Sequence, residues 1–204
     1  MPILGDGMHL KRIEVENFKS FGGEMVIPFD EGFTAITGPN GSGKSNSGDA
    51  IQFVLGPKST KALRASNVSE LIFNGGGRGK AAKHMSVTLV FANVPEHDGR
   101  RRLRIDDDEV SFTRSVRLNR KGEPISSFRI GEKPSTATEM RRVLAEAGLR
   151  GDGYNIVLQG DVTNLATMTP HKRRGVLEEV AGVTAYDDEI RRANTQRKHV
   201  ESSI

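Results

Sequence analysis

Gly38-Pro39-Asn40-Gly41-Ser42-Gly43-Lys44-Ser45 is a G-x-x-x-x-G-K-[ST] stretch set between an apolar run and a helical pattern. Glycines at 38, 41 and 43 let backbone N–H groups come close to phosphate oxygens, and the N-terminus of the following helix adds a favourable dipole. Lys44 then supplies a point charge for the β- and γ-phosphates, and the Ser45 hydroxyl is a ligand for Mg²⁺. The order strand, loop, helix separates a phosphate cradle from a glycine-rich turn with a chance lysine, and it predicts nucleotide binding.

Upstream of the loop, Leu10, Ile13, Val15 and Phe18 alternate with charged residues as in a half-buried strand. A second short strand is expected at 25–29, and a third, apolar enough to be buried, at 33–37 after the Asp30-Glu31-Gly32 turn. Three strands with ribbon-like connections are more than the single strand with which a simple P-loop kinase reaches its loop. Downstream, residues 45–55 read as a helix with Ala50, Ile51, Val54 and Leu55 on one side, ended by Gly56-Pro57. Ser47 and Gly48 are poor helix formers in its first turn. The glycine-rich residues 74–79 lack a following helix and read as a hairpin tip, not a second phosphate site. Further strands are expected at 86–91, 110–118 and 126–130, the last two paired around Lys121-Gly122-Glu123-Pro124. A helix follows from 135 to 147, with Thr136 and Glu139 spaced as a capping box.

A chain of 204 residues can bury a sizeable core and reads as one domain, or one domain plus an extension. Its 35% hydrophobic and 27% charged content is polar for a fully globular domain, so part of it is expected to project into solvent. The absence of cysteine excludes disulfides and thiolate metal sites and fits a reducing compartment. Residues 1–7 read as a disordered leader without the apolar centre of a signal peptide, and no run reaches the roughly 18 apolar residues of a spanning helix. The expected address is the cytoplasm, with no membrane partner. Between residues 100 and 121 there are eight basic residues (Arg100, Arg101, Arg102, Arg104, Arg114, Arg117, Arg120, Lys121) against four acids (Asp106, Asp107, Asp108, Glu109), an excess equal to the chain's net charge of +4. That stretch is either a surface for nucleic-acid phosphates or a solvated hairpin.

Hydrolysis asks for a second magnesium ligand, an acid at the end of an apolar strand. Asp106 to Glu109 follow no apolar strand, and Glu178-Glu179 lie in a helical pattern, so neither qualifies. The catalytic carboxylates are expected outside this chain. Thr169-Pro170 opens a helix to about Val180, Gly182 interrupts it, and a second helical stretch starts at Thr184. There Tyr186, Ile190, Ala193, Arg197, Val200 and Ile204 repeat alternately every four and three residues, as in a coiled-coil seam or a short amphipathic helix.

Phe18-Lys19-Ser20-Phe21, Gly32-Phe33-Thr34-Ala35-Ile36, the loop continuing as Asn46-Ser47-Gly48-Asp49-Ala50, Leu63-Arg64-Ala65-Ser66 and Gly153-Tyr154-Asn155-Ile156-Val157-Leu158-Gln159-Gly160-Asp161 together resemble the N-terminal half of an SMC head. SMC stands for structural maintenance of chromosomes, the core ATPase of condensin-like complexes. The resemblance runs from about Leu10 to Ile204, and the style looks prokaryotic, with an archaeal source among the candidates. It implies an α/β fold, an ABC-type P-loop NTPase head lobe with a mixed sheet containing antiparallel strands, over residues 8–182, and the start of a coiled-coil arm at 183–204.

By the same resemblance the cofactors are ATP and Mg²⁺. The nucleotide is held by Lys19, Ser20, Gly38, Pro39, Asn40, Gly41, Ser42, Gly43, Lys44, Ser45 and Asn46. Ser45 and Gln159, the Q-loop glutamine, ligate the metal; Lys44, Arg64, the R-loop arginine, and Gln159 carry catalysis. The implied partners are the C-terminal half of the same head, which brings the Walker B acids and signature motif, a second SMC head in a homodimer, DNA, and a kleisin-type regulatory subunit. The implied role is chromosome condensation and partition on the nucleoid through ATP-driven head engagement. Its rivals are a related coiled-coil ABC-type ATPase of double-strand-break repair, a stand-alone P-loop kinase, and a non-catalytic DNA-binding module using the 100–121 surface. Ser47 departs from the family, where an apolar residue is common.

Overall fold

The computed structural model describes residues 7–56, 63–77, 79–149, 151, 168–180, 194 and 197. The chain divides into two units, Met1–Asp152 and Gly153–Ile204. In the first, the alternating pattern around Ile13 and Val15 forms β1 (Leu10–Phe18), which turns at Lys19-Ser20 into β2 (Phe21–Pro28). β3 (His84–Ala92), β4 (Glu109–Leu118), β5 (Pro124–Ile130) and β6 (Lys133–Ser135) extend this ribbon to a six-stranded sheet in the order β2-β1-β3-β4-β5-β6. Every described pairing is antiparallel.

Register decides which face is apolar. Ile13 lies opposite Leu89 and Val15 opposite Val87, while Leu89 and Phe91 face Phe112 and Val110 on β4. All of these are buried. On this face lies α1 (Lys44–Leu55), whose Ala50, Phe53 and Val54 are buried. Phe53 sits with its ring centroid 5.6 Å from that of Phe18. Arg114 of β4 projects onto the same face, because it stands opposite Val87. Its guanidinium lies 4.2 Å from the centre of the Phe53 ring, and its Nη1 donates to the Phe53 carbonyl at 2.8 Å. That carbonyl belongs to the last turn of α1, which the helix itself leaves unpaired. α1 carries no basic residue in that turn, so β4 provides the cation that complements its C-terminal dipole. Burial, and secondarily the charge of Arg141, pull the Arg114 pKa below its ordinary value.

α1 begins one residue before the expected 45 and ends at Leu55 as expected, with Gly56 in the left-handed conformation (φ 82°) and its N–H donating to the Gln52 carbonyl at 3.1 Å. α2 (Ala137–Glu146) is shorter than the helix expected over 135–147, because Ser135 pairs in β6, but its N-cap is the one the capping-box spacing predicts: the Thr136 hydroxyl accepts from the Glu139 N–H at 3.1 Å. Three-residue β6, immediately before it, was not anticipated, being too short to show a period. The described residues of this stretch, 74–77 and 79, form a turn as expected, closed by Gly79 N–H donating to the Gly75 carbonyl at 2.7 Å and Ala82 N–H to the Phe73 carbonyl at 2.9 Å. The third strand expected at 33–37 is corrected: these residues are irregular, with Phe33 96% exposed and Ile36 44% exposed. An apolar run becomes a strand only beside another strand, and no described strand borders this one. Two strands, not three, therefore precede the loop.

In the second unit the described helix is α3 (Pro170–Val180), starting at the proline as expected. Val176 is buried, and Arg174 pairs with Glu178 at 2.6 Å. Tyr154 to Gln159, Gly182 and the 3.5-residue seam lie outside the described residues, apart from helical Arg197. No described helix is long and apolar enough to cross a membrane.

Removing a fully buried ring from a packed face costs about 4 kcal/mol, whereas losing an N-cap hydroxyl costs about 1 kcal/mol. In urea titrations Phe53→Ala is therefore expected to lower unfolding stability several-fold more than Thr136→Ala. Equal shifts would contradict the account of α1 as the seat of the fold.

Candidate nucleotide site

Gly43 is the N-cap of α1, with φ 95°, a region that only glycine enters without strain. A Cβ there would stand 2.7 Å from the Phe21 ring, so the aromatic at the start of β2 forms the floor of the loop. Lys44 folds back and donates from Nζ to the Gly38 carbonyl at 2.6 Å and the Pro39 carbonyl at 2.7 Å. Pro39, Asn40, Gly41 and Ser42 are exposed, as is Ser45. α1 has no side-chain cap and no acid in its first turn, and the amides of Lys44 and Ser45 have no acceptor among the described residues. A helix start with open N–H groups, no compensating acid and an ammonium folded into the preceding loop is built for an anion. The residues present fit a nucleotide phosphate. For Mg²⁺ the described donor is the Ser45 hydroxyl; Gln159 lies outside the described residues, and no cluster of His, Asp or Glu able to hold a metal occurs among those described.

The β1–β2 turn runs along the first turns of α1. Phe21 packs on Gly43, Ser20 Oγ accepts from Asn46 Nδ2 at 2.6 Å, and the Lys19 ammonium pairs with the Asp49 carboxylate. One residue of the turn thus meets every third residue of the helix, the spacing that keeps contacts on one face. Lys19 Nζ also donates to the Leu63 carbonyl at 2.7 Å, and Arg64 Nη2 donates to the same Asp49 oxygen that holds Lys19. The Asp49 side chain is only 4% exposed.

The structure therefore gathers Lys19, Ser20, Asn46 and the phosphate loop along one helix, and attaches Arg64 to it through Asp49. Sequence reasoning missed Asp49 as a member of the site. Its signal was an acid five residues after Lys44, next to the apolar Ala50 and Ile51, where a carboxylate needs partners. Four of the acids set aside as magnesium ligands pair with basic residues, Glu109 with Lys11 and Arg12 among them. Asp106 and Asp108 lie in the irregular segment before β4 and pair with Arg101, at 3.4 and 2.8 Å, and Glu178 pairs with Arg174 on α3.

The basic stretch is less concentrated than its count suggests. Arg102 pairs with Glu96 at 2.7 Å and Arg100 with Asp98 at 3.7 Å, two acids just upstream of the window counted. Arg101 is taken up by Asp106 and Asp108, and Arg114 by the core. Buried Asn93 organises this segment, its Nδ2 lying 3.1, 2.9 and 3.1 Å from the Leu103, Ile105 and Asp107 carbonyls. Exposed Arg117, Arg120 and Lys121, at the β4–β5 turn, make no ion pair among the described residues.

The family model described as RecF/RecN/SMC N terminal domain matches residues 9–153. The chain is 41% identical to the chromosome partition protein Smc of Pyrococcus furiosus over 96% of its own length, and 40% identical to that of Synechocystis sp. over 90%. In both cases it spans 16% of the relative. Among solved structures it superposes on the Smc head domain of Pyrococcus furiosus, with an extended coiled coil and bound to the C-terminal domain of ScpA. The TM-score is 0.79 at 42% identity, covering 96% of this chain and 47% of that one. A second, from work on ATP-driven dimerization and DNA stimulated activation of SMC ATPases, gives a TM-score of 0.73 at 44% identity, covering 84% of this chain and 99% of that one. The chain belongs to the RecF/RecN/SMC N-terminal domain family, within which the relatives it resembles are SMC heads.

Proposed function

We propose that this chain is the ATP-binding lobe of an SMC ATPase head that acts in chromosome condensation and partition. The observation that carries the reading is the open, acid-free start of α1 with the Lys44 ammonium folded into the loop before it. Residues Gly38 to Ser45 hold the phosphates, Lys44 exchanging its carbonyl partners for phosphate oxygens. Ser45 and Gln159 hold Mg²⁺, which when bound neutralises charge on the β- and γ-phosphates. Lys19, Ser20 and Asn46 border the phosphates along α1, and Arg64 approaches them from its place on Asp49. Residues 8–182 form the lobe, and residues from 183 begin the coiled-coil arm.

Solved relatives of the head are described with ATP-driven dimerization, DNA stimulated activation and bound ScpA. On that support the partners are a C-terminal half of the same head, a second head, DNA and a kleisin-type subunit, in the cytoplasm on the nucleoid. The exposed Arg104, Arg117, Arg120 and Lys121, which make no ion pair among the described residues, are the basic residues of the 100–121 stretch offered to DNA phosphates. The two relatives named above are chromosome partition proteins, which favours this reading over a break-repair ATPase.

Lys44→Ala removes a charge-assisted contact worth about 1.5–3 kcal/mol, so ATP affinity of the chain is expected to fall at least about tenfold in a fluorescence titration with a labelled ATP. Gly43→Ala, which drives a methyl into the Phe21 ring, is expected to do the same. Unchanged affinity in both variants would refute the phosphate loop. The 204-residue chain alone is expected to turn over ATP negligibly, and measurable phosphate release abolished by Lys44→Ala would overturn that expectation.

A further inference from the structure

We propose that Asp49 is a positioning residue of the nucleotide site: its buried carboxylate fixes Arg64 and Lys19 against α1 and so sets where the Arg64 guanidinium meets the phosphates. The inference rests on the ATP-binding reading above. A carboxylate with its side chain 4% exposed is tolerated only with strong partners, and here both are cations that converge on one oxygen, Oδ2. One negative charge against two positive ones leaves the cluster with a surplus of +1. That surplus is presented by Arg64, whose side chain is 53% exposed, while Lys19 is 13% exposed. Arg64 spends only Nη2 on Asp49, and its other donors have no partner among the described residues.

The backbone argues for a positional demand. Lys19 and Arg64 both adopt left-handed conformations, with φ 52° and 55°, which cost non-glycine residues of order 1 kcal/mol each. Such strain persists where the surroundings over-determine it, and both residues are tied to the same carboxylate. Lys19 adds its bond to the carbonyl of Leu63, the residue directly before Arg64. Asp49 stands on the helix whose first turn ends the phosphate loop, and the turn that carries Lys19 follows that helix through Asn46 to Gly43. Arg64 is thereby indexed to the loop across one rigid helix. An ion cluster serving stability alone would not require its most exposed cation to keep a fixed relation to Lys44.

A double-mutant cycle separates the two roles. Affinity for a fluorescent ATP analogue is measured on the chain, Lys44→Ala, Asp49→Asn, Arg64→Ala and the Asp49→Asn/Arg64→Ala double variant, with thermal melts alongside. Asp49→Asn is expected to weaken binding about tenfold, the scale on which orienting partners act. In the Arg64→Ala background the same change is expected to cost less than about twofold, since there is no guanidinium left to place. Unchanged binding by Asp49→Asn overturns the proposal, and so does an equal loss in both backgrounds. Should Asp49→Asn not fold, Lys19→Met/Asp49→Asn removes both charges of the buried pair and is compared in the same way with and without Arg64→Ala. If Lys44→Ala and Gly43→Ala both bind as tightly as the parent, the nucleotide reading itself fails and takes this proposal with it.

Discussion

The seating of α1 on the sheet is the constraint on which the rest depends. Phe53 is buried between the Phe18 ring and the Arg114 guanidinium, so one aromatic joins the helix to β1 and β4 at once. The same Arg114 holds a carbonyl at the C-terminal end of α1, and the opposite end is the phosphate loop. A 12-residue helix fixed at its far end by packing and a charge-assisted bond delivers its N-terminal amides as a rigid group. This lets exposed Gly38 to Ser42 keep a site geometry although the loop itself buries little.

Charges are handled in two ways in this unit, and the difference marks the site. Around residues 96–108, exposed and half-buried arginines each meet at least one acid, Arg101 meeting two, in contacts worth little individually and screened by salt. At Asp49 a buried carboxylate meets two cations, with no second acid to balance them. Burying an ion is expensive enough that such an imbalance is a poor way to gain stability. A surplus positive charge beside a helix start without acids suits an anion that arrives from outside.

Much of this was legible in the sequence, for identifiable reasons. β1, β3, β4, α1 and α2 announce themselves through period, capping residues or glycine stops, all local signals. The phosphate loop is legible because glycine and lysine are required at fixed spacing. Asp49 was not legible as a hub, because its partners are thirty residues upstream at Lys19 and fifteen downstream at Arg64, and pairing across such distances appears only in the fold. The charge of the 100–121 stretch was overstated for a related reason: a count along a window left out Glu96 and Asp98, which lie just outside it. Arg114 looked like surface charge because a basic residue in a strand pattern gives no hint that the strand's core side will present it to an aromatic ring.

The run at 33–37 failed differently, since its hydrophobicity was read correctly and its partner was missing. A phenylalanine left 96% exposed forgoes roughly 1.5–3 kcal/mol of burial, so the run has a free-energy reason to be covered. β2 ends where Phe29 N–H donates to the Lys11 carbonyl, and from there the chain reaches Gly38, whose carbonyl holds the Lys44 ammonium. Whatever covers residues 33–37 therefore also fixes the entry to the phosphate loop. The cover over residues 33–37 and the geometry at Lys44 are thereby coupled through ten residues of connecting chain, from Phe29 to Gly38.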